Sequence, residues 1–145
     1  MEVNNQSFEH IHEIATVEEF DSTLREYSEE LVVVSFCASW CKPCTKTTPL
    51  MERFKHRLDN HWKIDAKFYK VDVDNCPDLT DRFQIISLPT FIFFYRGTPI
   101  NDIKGADMEK VITYTMMYYK NLGFQFTFNS DIDPDIDTQN YDYND

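Results

Sequence analysis

Glycine is nearly missing from this 145-residue chain, with only Gly97, Gly105 and Gly123, too far apart to share one loop. Sites that cradle phosphate on backbone N–H groups need glycines clustered where a strand turns into a helix, so Walker and Rossmann nucleotide sites are excluded. Basic charge is scarce as well: 14 Lys and Arg stand against 25 Asp and Glu, for a net charge of -11. Such a surface does not neutralise a phosphate backbone, which argues against a nucleic acid partner. Long apolar runs are absent; the longest, near residues 31–40 and 88–95, fall far below the ~20 needed to span a bilayer. The start, Met-Glu-Val-Asn-Asn-Gln-Ser, is polar and acidic rather than basic then apolar, so a soluble, unsecreted protein with no membrane partner is expected. Four cysteines in such a chain point to the reducing cytoplasm, with the nucleus as a second location, where a close C-x-x-C pair is redox-active or metal-binding more often than structural.

The length suits one domain and one core, able to fold without a disulfide framework or structural metal, which leaves the cysteines free for chemistry. Charge divides the chain into an expected domain over 1–122 and an acidic segment over 123–145. After Lys120 there is no Lys or Arg, while Asp131, Asp133, Asp135, Asp137, Asp142 and Asp145 follow. Such a composition buries too little apolar surface to offset chain entropy, so a disordered tail is expected from about Asn129. Phe124, Phe126 and Phe128 alternate before it, as a short edge strand or a staple onto the body would. The alternating aspartates resemble a calcium loop but lack its sixth-position glycine and closing Glu. A solvated acidic tail, or one docking on a basic partner, are the other readings.

Within the body the hydrophobic period switches repeatedly. A strand is expected at His10–Ala15, then a helix opened by the capping box Thr16-Val-Glu-Glu19 with Phe20, Leu24 and Tyr27 on one face. Leu31 to Phe36 is short, β-branched and almost wholly apolar, as a strand covered on both faces would be. A helix from about Cys41 to His61 carries Met51, Phe54 and Leu58 on one stripe, with Pro49 expected to kink it. A strand at Lys67–Val73, a helical piece at Leu79–Phe83, strands at Thr90–Tyr95 and Ile100–Lys104 and a helix from about Asp107 complete the pattern. This alternation implies an α/β fold, a central mixed sheet with helices on both faces.

The chemistry gathers at Trp40-Cys41-Lys42-Pro43-Cys44, where a buried strand ends and a helix starts. Unpaired N–H groups and the macrodipole at that end favour an anion, so Cys41 is expected to carry a large thiolate fraction, helped by the charge of Lys42. Pro43 costs no donor in a first turn. Cys44, one turn on, lies within disulfide reach and can resolve a mixed disulfide on Cys41. Other readings of the cysteines stay open here: inert buried thiols, a zinc site that recruits Cys76 or a histidine, and a C-x3-C-x2-C cluster site with Cys37. Cys76 is expected to be an ordinary thiol, with a regulatory or dimer-forming role as the alternative.

Several separate segments together resemble the thioredoxin family over residues 8–122: Trp-Cys-Lys-Pro-Cys itself, Pro49, Lys70-Val-Asp-Val-Asp74, Ser87-Leu-Pro-Thr90, Gly97 and Gly105. The Leu-Val-Val-Val-x-Phe approach and Cys76 resemble animal cytosolic members. The resemblance implies a five-stranded mixed sheet with about four helices and a protein disulfide reductase whose substrates are proteins with disulfides. It further implies no bound cofactor, electrons from NADPH through a thioredoxin reductase, and a mostly monomeric protein. By the same resemblance Pro89 is cis, Cys41 and Cys44 are catalytic, and Trp40, Lys42, Pro43, Leu88, Pro89, Gly105 and Ala106 form a substrate groove. Ser35 departs from the pattern, since the family has a buried Asp there that resembles a base for the resolving cysteine. Lys70, its lysine partner, is then expected to lack its matching anion and to snorkel or lose its charge. Cys37 departs too, where an aromatic residue or Ser is usual. A binding module with weak turnover is the rival reading.

Overall fold

The computed structural model describes residues 10–121. Their elements are β1 (His12–Glu13), α1 (Val17–Glu26), β2 (Val32–Cys37), α2 (Lys42–Asn60), β3 (Lys67–Asp72), α3 (Pro77–Arg82), β4 (Thr90–Tyr95), β5 (Thr98–Lys104) and α4 (Met108–Asn121). The sheet order is β1-β3-β2-β4-β5, parallel across β1, β3 and β2 and antiparallel across β2, β4 and β5. The expected mixed five-stranded sheet with four helices is present. The expected tail from Asn129, the 123–145 segment and the Phe124 to Phe128 alternation lie outside the described residues.

β2 and β4 occupy the middle of the sheet and alternate between two cores. Val33, Phe91 and Phe93 meet Met51, Phe54 and Leu58 of α2 and Val111, Ile112 and Met116 of α4. Val32, Val34, Phe36, Ile92 and Phe94 meet Phe20 and Leu24 of α1 and Leu79 of α3. This is why the β2 sequence has almost no polar side: a period of two delivers side chains to a helix layer on each face. Ser35 is the buried exception.

Three boundaries differ from those the pattern suggests. β1 shrinks to two residues because it pairs only through His12↔Tyr69 and Glu13↔Lys70 before the chain turns at Thr16. α3 starts at Pro77, where a proline at the first helical position loses no donor, and ends before Phe83. β5 begins at Thr98 because Arg96 and Gly97 alone, with φ of 55° and 73°, make a two-residue turn of the kind that matches strand twist. Pro99 is tolerated because β5 is an edge strand with a register shift opposite Phe93 and Phe94. α2 runs through Pro49 without ending.

The capping box forms, displaced by one residue on its return arm. Thr16 Oγ1 accepts from the Glu19 N–H at 3.0 Å, and Glu19 Oε1 accepts from the Ala15 N–H at 3.0 Å. That N–H, and next the His12 side chain, hold the Glu19 carboxyl below its usual range. A depressed carboxyl stabilises the fold above its unfolded titration and loses that contribution as the pH falls through the folded value. Thr16→Ala is expected to cost about 1 kcal/mol in denaturant unfolding. Glu19→Gln should lower the thermal midpoint at neutral pH, by an amount that vanishes at acid pH; a pH-independent loss would contradict this assignment.

Candidate active site

The site sits at the carboxyl end of β2, where the buried strand delivers the chain to the start of α2. The Cys41 N–H donates to Ala38 O at 3.1 Å, closing the turn, and Cys41 becomes the residue that caps α2. Its Sγ accepts from the Cys44 N–H at 3.3 Å. A sulfur in that place meets unpaired helix N–H groups and the positive end of the macrodipole, both of which favour negative charge. Pro43 falls within the first turn. Cys41 and Cys44 are joined as a disulfide, with Cα atoms 5.3 Å apart.

Although both cysteines are buried, at 5% and 3% exposure, they face different spaces. Cys41 lines an outer groove of about 420 Å3 with Trp40, Lys42, Pro43, Val73 and Leu88. Cys44 lines a separate open cavity of about 280 Å3, with Glu13, Cys37, Lys70 and Asp72. Trp40 is 68% exposed and its indole Nε1 donates to Asp74 Oδ2 at 2.7 Å, which fixes the ring as a wall of the groove. Ile86, on the opposite loop, is 88% exposed and lines the same groove with Ile85 and Thr80.

The Leu88–Pro89 bond is cis. Leu88 packs against the dithiol cluster and lines the groove. Pro89 O accepts from the Gly105 N–H at 2.8 Å, which ties that loop to the end of β5. Gly105 has φ of 101°, a conformation that side chains rarely adopt. Pro89, Gly105 and Ala106 are not among the residues that line the groove, so of the seven expected groove residues four meet there. Sequence reasoning missed Asp74, Val73, Thr80, Ile85 and Ile86. Asp74 was readable as the end of Val-Asp-Val-Asp; the others are revealed only by the fold.

Ser35 and Lys70 are neighbours in register on the face toward α2 and α4, and Glu13 continues the row on β1. The carboxylate that the resemblance places beside Lys70 is absent, since Ser35 stands there, while Glu13 and Asp72 line the same cavity as Lys70. Ser35, 3% exposed, stands on β2 beside Lys70 and does not line that cavity. Cys37 donates to Val71 O at 3.6 Å. Burial pushes its thiol up to about 11, against a partial opposing effect of Lys70, with Asp72 and Glu13 adding to the rise. Cys76 is a free, buried thiol at the start of α3. Among the described residues, no group of three or more His, Cys, Asp or Glu side chains is placed to hold a metal ion.

The family model described as Thioredoxin matches residues 11–117. The chain belongs to the thioredoxin family. It is 36% identical over 95 residues to Thioredoxin-2 of Saccharomyces cerevisiae, covering 66% of this chain and 86% of the relative. To the thioredoxin of Equus caballus it is 33% identical over 101 residues, covering 70% and 91%. Among solved structures, reduced Schistosoma mansoni thioredoxin pre-protein is similar at a TM-score of 0.66 and 34% identity, covering 76% of this chain and 99% of that one. Fasciola hepatica thioredoxin gives 0.68 at 26% identity, covering 74% and 98%. Thioredoxins are protein disulfide oxidoreductases, and the dithiol at the head of α2 fits that chemistry, with the redox group supplied by the chain's own cysteines.

Of the two free thiols, Cys37 invites confusion with the reactive pair. With its thiol raised to about 11 it stays protonated at pH 7 and its thiolate appears only in strong alkali. Iodoacetamide on the folded, reduced protein should therefore leave Cys37 unlabelled at pH 7 and modify it as the pH approaches 11, measured by peptide mass mapping. Labelling of Cys37 at neutral pH would overturn this.

Proposed function

We propose that the protein works as a reductase of protein disulfides, with Cys41 as nucleophile and Cys44 as resolving thiol. The observation that carries this is that Cys41 and Cys44 line two different pockets. A substrate disulfide entering along the groove meets Cys41, and Cys44 is screened from it. The Cys41 thiolate attacks one substrate sulfur, forming a mixed disulfide and expelling the other sulfur as thiolate. Cys44 then attacks Cys41, forming the Cys41–Cys44 disulfide and releasing the second substrate thiol. Two electrons have passed to the substrate, so a thioredoxin reductase drawing on NADPH restores the dithiol. The cytoplasm or nucleus supplies such conditions, and two unpaired cysteines are consistent with a reducing compartment.

Trp40, Lys42, Pro43 and Leu88 form the groove floor and wall, while Pro89, Gly105 and Ala106 support the loop that bears Leu88. An extended peptide that pairs along Leu88 gains main-chain hydrogen bonds indifferent to side chains. Ile86 and Trp40 add exposed apolar surface, and Lys42 a positive charge, so segments combining an apolar side chain with an acidic one fit best. No bound cofactor is needed, and the protein acts as a monomer.

The binding-module reading is favoured by Ser35, a buried neutral residue paired in register with Lys70. Insulin reduction with NADPH and a thioredoxin reductase separates the two: turnover supports the reductase. Cys44→Ser is expected to lose turnover by at least ~10²-fold and to accumulate partners as mixed disulfides on Cys41, released by dithiothreitol. Wild-type protein that consumes no NADPH, together with a variant that traps nothing, would leave the binding module as the answer.

A further inference from the structure

Cys44 has to lose a proton before it can attack Cys41, and the space behind it decides where that proton goes. The row Glu13–Lys70–Ser35 crosses β1, β3 and β2, with Asp72 and Cys37 paired one step further along. A period of two puts all five on the α2 and α4 face, the face of Ile11, Val33 and Phe68. Four of them, Glu13, Cys37, Lys70 and Asp72, line the cavity that Cys44 also lines. At ~30 Å3 for each water in the liquid, its volume of about 280 Å3 has room for several.

The groups that face Glu13 are Lys70 and Asp72 from β3, Cys37 from β2 and Cys44 from α2. Cys37 is already protonated at neutral pH and accepts nothing. Ser35 carries no ionisable group. Asp72 serves the turn after β3, where its Oδ1 accepts from the Asp74 N–H at 2.9 Å. Glu13 stands at the sheet edge and lines the cavity, its Oε2 accepting from Asn75 Nδ2 at 3.2 Å, which steadies the carboxylate.

We propose that Glu13 is the proton acceptor for Cys44 in the resolving step, through water in the cavity, with Lys70 holding the thiolate that forms. The inference rests on the reductase cycle above. The S–H proton passes to the carboxylate, leaving a Cys44 thiolate and a neutral Glu13. The thiolate attacks Cys41 Sγ, the Cys41–Cys44 bond forms, and the bond from Cys41 to the substrate sulfur breaks. The leaving sulfur departs with the electron pair and takes a proton from solvent, to which Glu13 then returns its own. Charge is conserved in the first step. Loss of the proton to bulk water would instead add a negative charge beside Glu13 and Asp72, with Lys70 alone to offset the repulsion of both.

The test is single-turnover kinetics of the reduced full-length protein with a disulfide-bonded peptide, following formation and decay of the mixed disulfide by acid quench across pH. The wild type is expected to resolve at a rate that is flat through neutral pH. Glu13→Gln, which keeps the oxygen that accepts from Asn75, should resolve about 10²-fold more slowly at pH 7, at a rate that climbs with pH. Its rate of mixed-disulfide formation should be unchanged, and Glu13→Asp should restore a flat profile. The proposal is overturned if Glu13→Gln resolves like the wild type, if it slows formation and resolution equally, or if Asp72→Asn alone removes the flat profile. A wild type that forms no mixed disulfide at all would sink the reductase reading itself, and this one with it.

Discussion

Everything at the site hangs from the burial of β2 on both faces. Phe36, Phe91, Phe93 and Phe94 are almost wholly enclosed, and truncating one such ring in a core costs ~3–5 kcal/mol. The hydrogen bonds and cap at the head of α2 are worth ~1 kcal/mol each. The strand therefore sets where the dithiol stands, and the local contacts only trim it. Because β2 is central, its carboxyl end cannot shift without disturbing β3 and β4 together, which gives the two sulfurs a fixed frame on an otherwise exposed rim.

That frame also gives the two cysteines different surroundings. One helical turn sets them close enough to bond, while the sheet beneath gives each a different neighbour space. Cys41 meets indole, proline and leucine; Cys44 meets two carboxylates and a lysine. The surroundings of the two sulfurs, rather than the thiols themselves, distinguish them. The Trp40 to Asp74 hydrogen bond joins the outer space to the loop after β3. Lys70 and Asp72 of β3 line the inner space, and Val73, directly after the strand, lines the outer one.

Much of this was legible in the chain because its signals are local and strong. The β-branched run before Trp40, the proline in the first turn of α2 and Ser-Leu-Pro-Thr each act through their own backbone, and each element formed where the pattern placed it. What stayed hidden depends on pairing. Glu13 lies in a weak two-residue strand, and nothing in its neighbours announces that it will sit beside Lys70; that follows from a parallel register set by strands 57 residues apart. Ile86 is similar: an isoleucine in Gln-Ile-Ile-Ser reads as core, yet it is 88% exposed because Ile85 takes the inward place. The β5 boundary was missed for another reason, since Pro99 suggests a turn when only central strands exclude it.

Ser35 illustrates how a single position can mislead when it is read alone. The carboxylate that the resemblance places in this row is missing at Ser35, and Glu13 enters the same row from the sheet edge at β1. The arrangement differs in its physics as well as its location. A carboxylate at the position of Ser35, 3% exposed, would bear the desolvation cost of an enclosed charge. One at the sheet edge, held by Asn75 and half-buried, keeps contact with solvent and bears little of it. A carboxylate at the end of the row avoids that desolvation while it still lines the cavity that Cys44 lines.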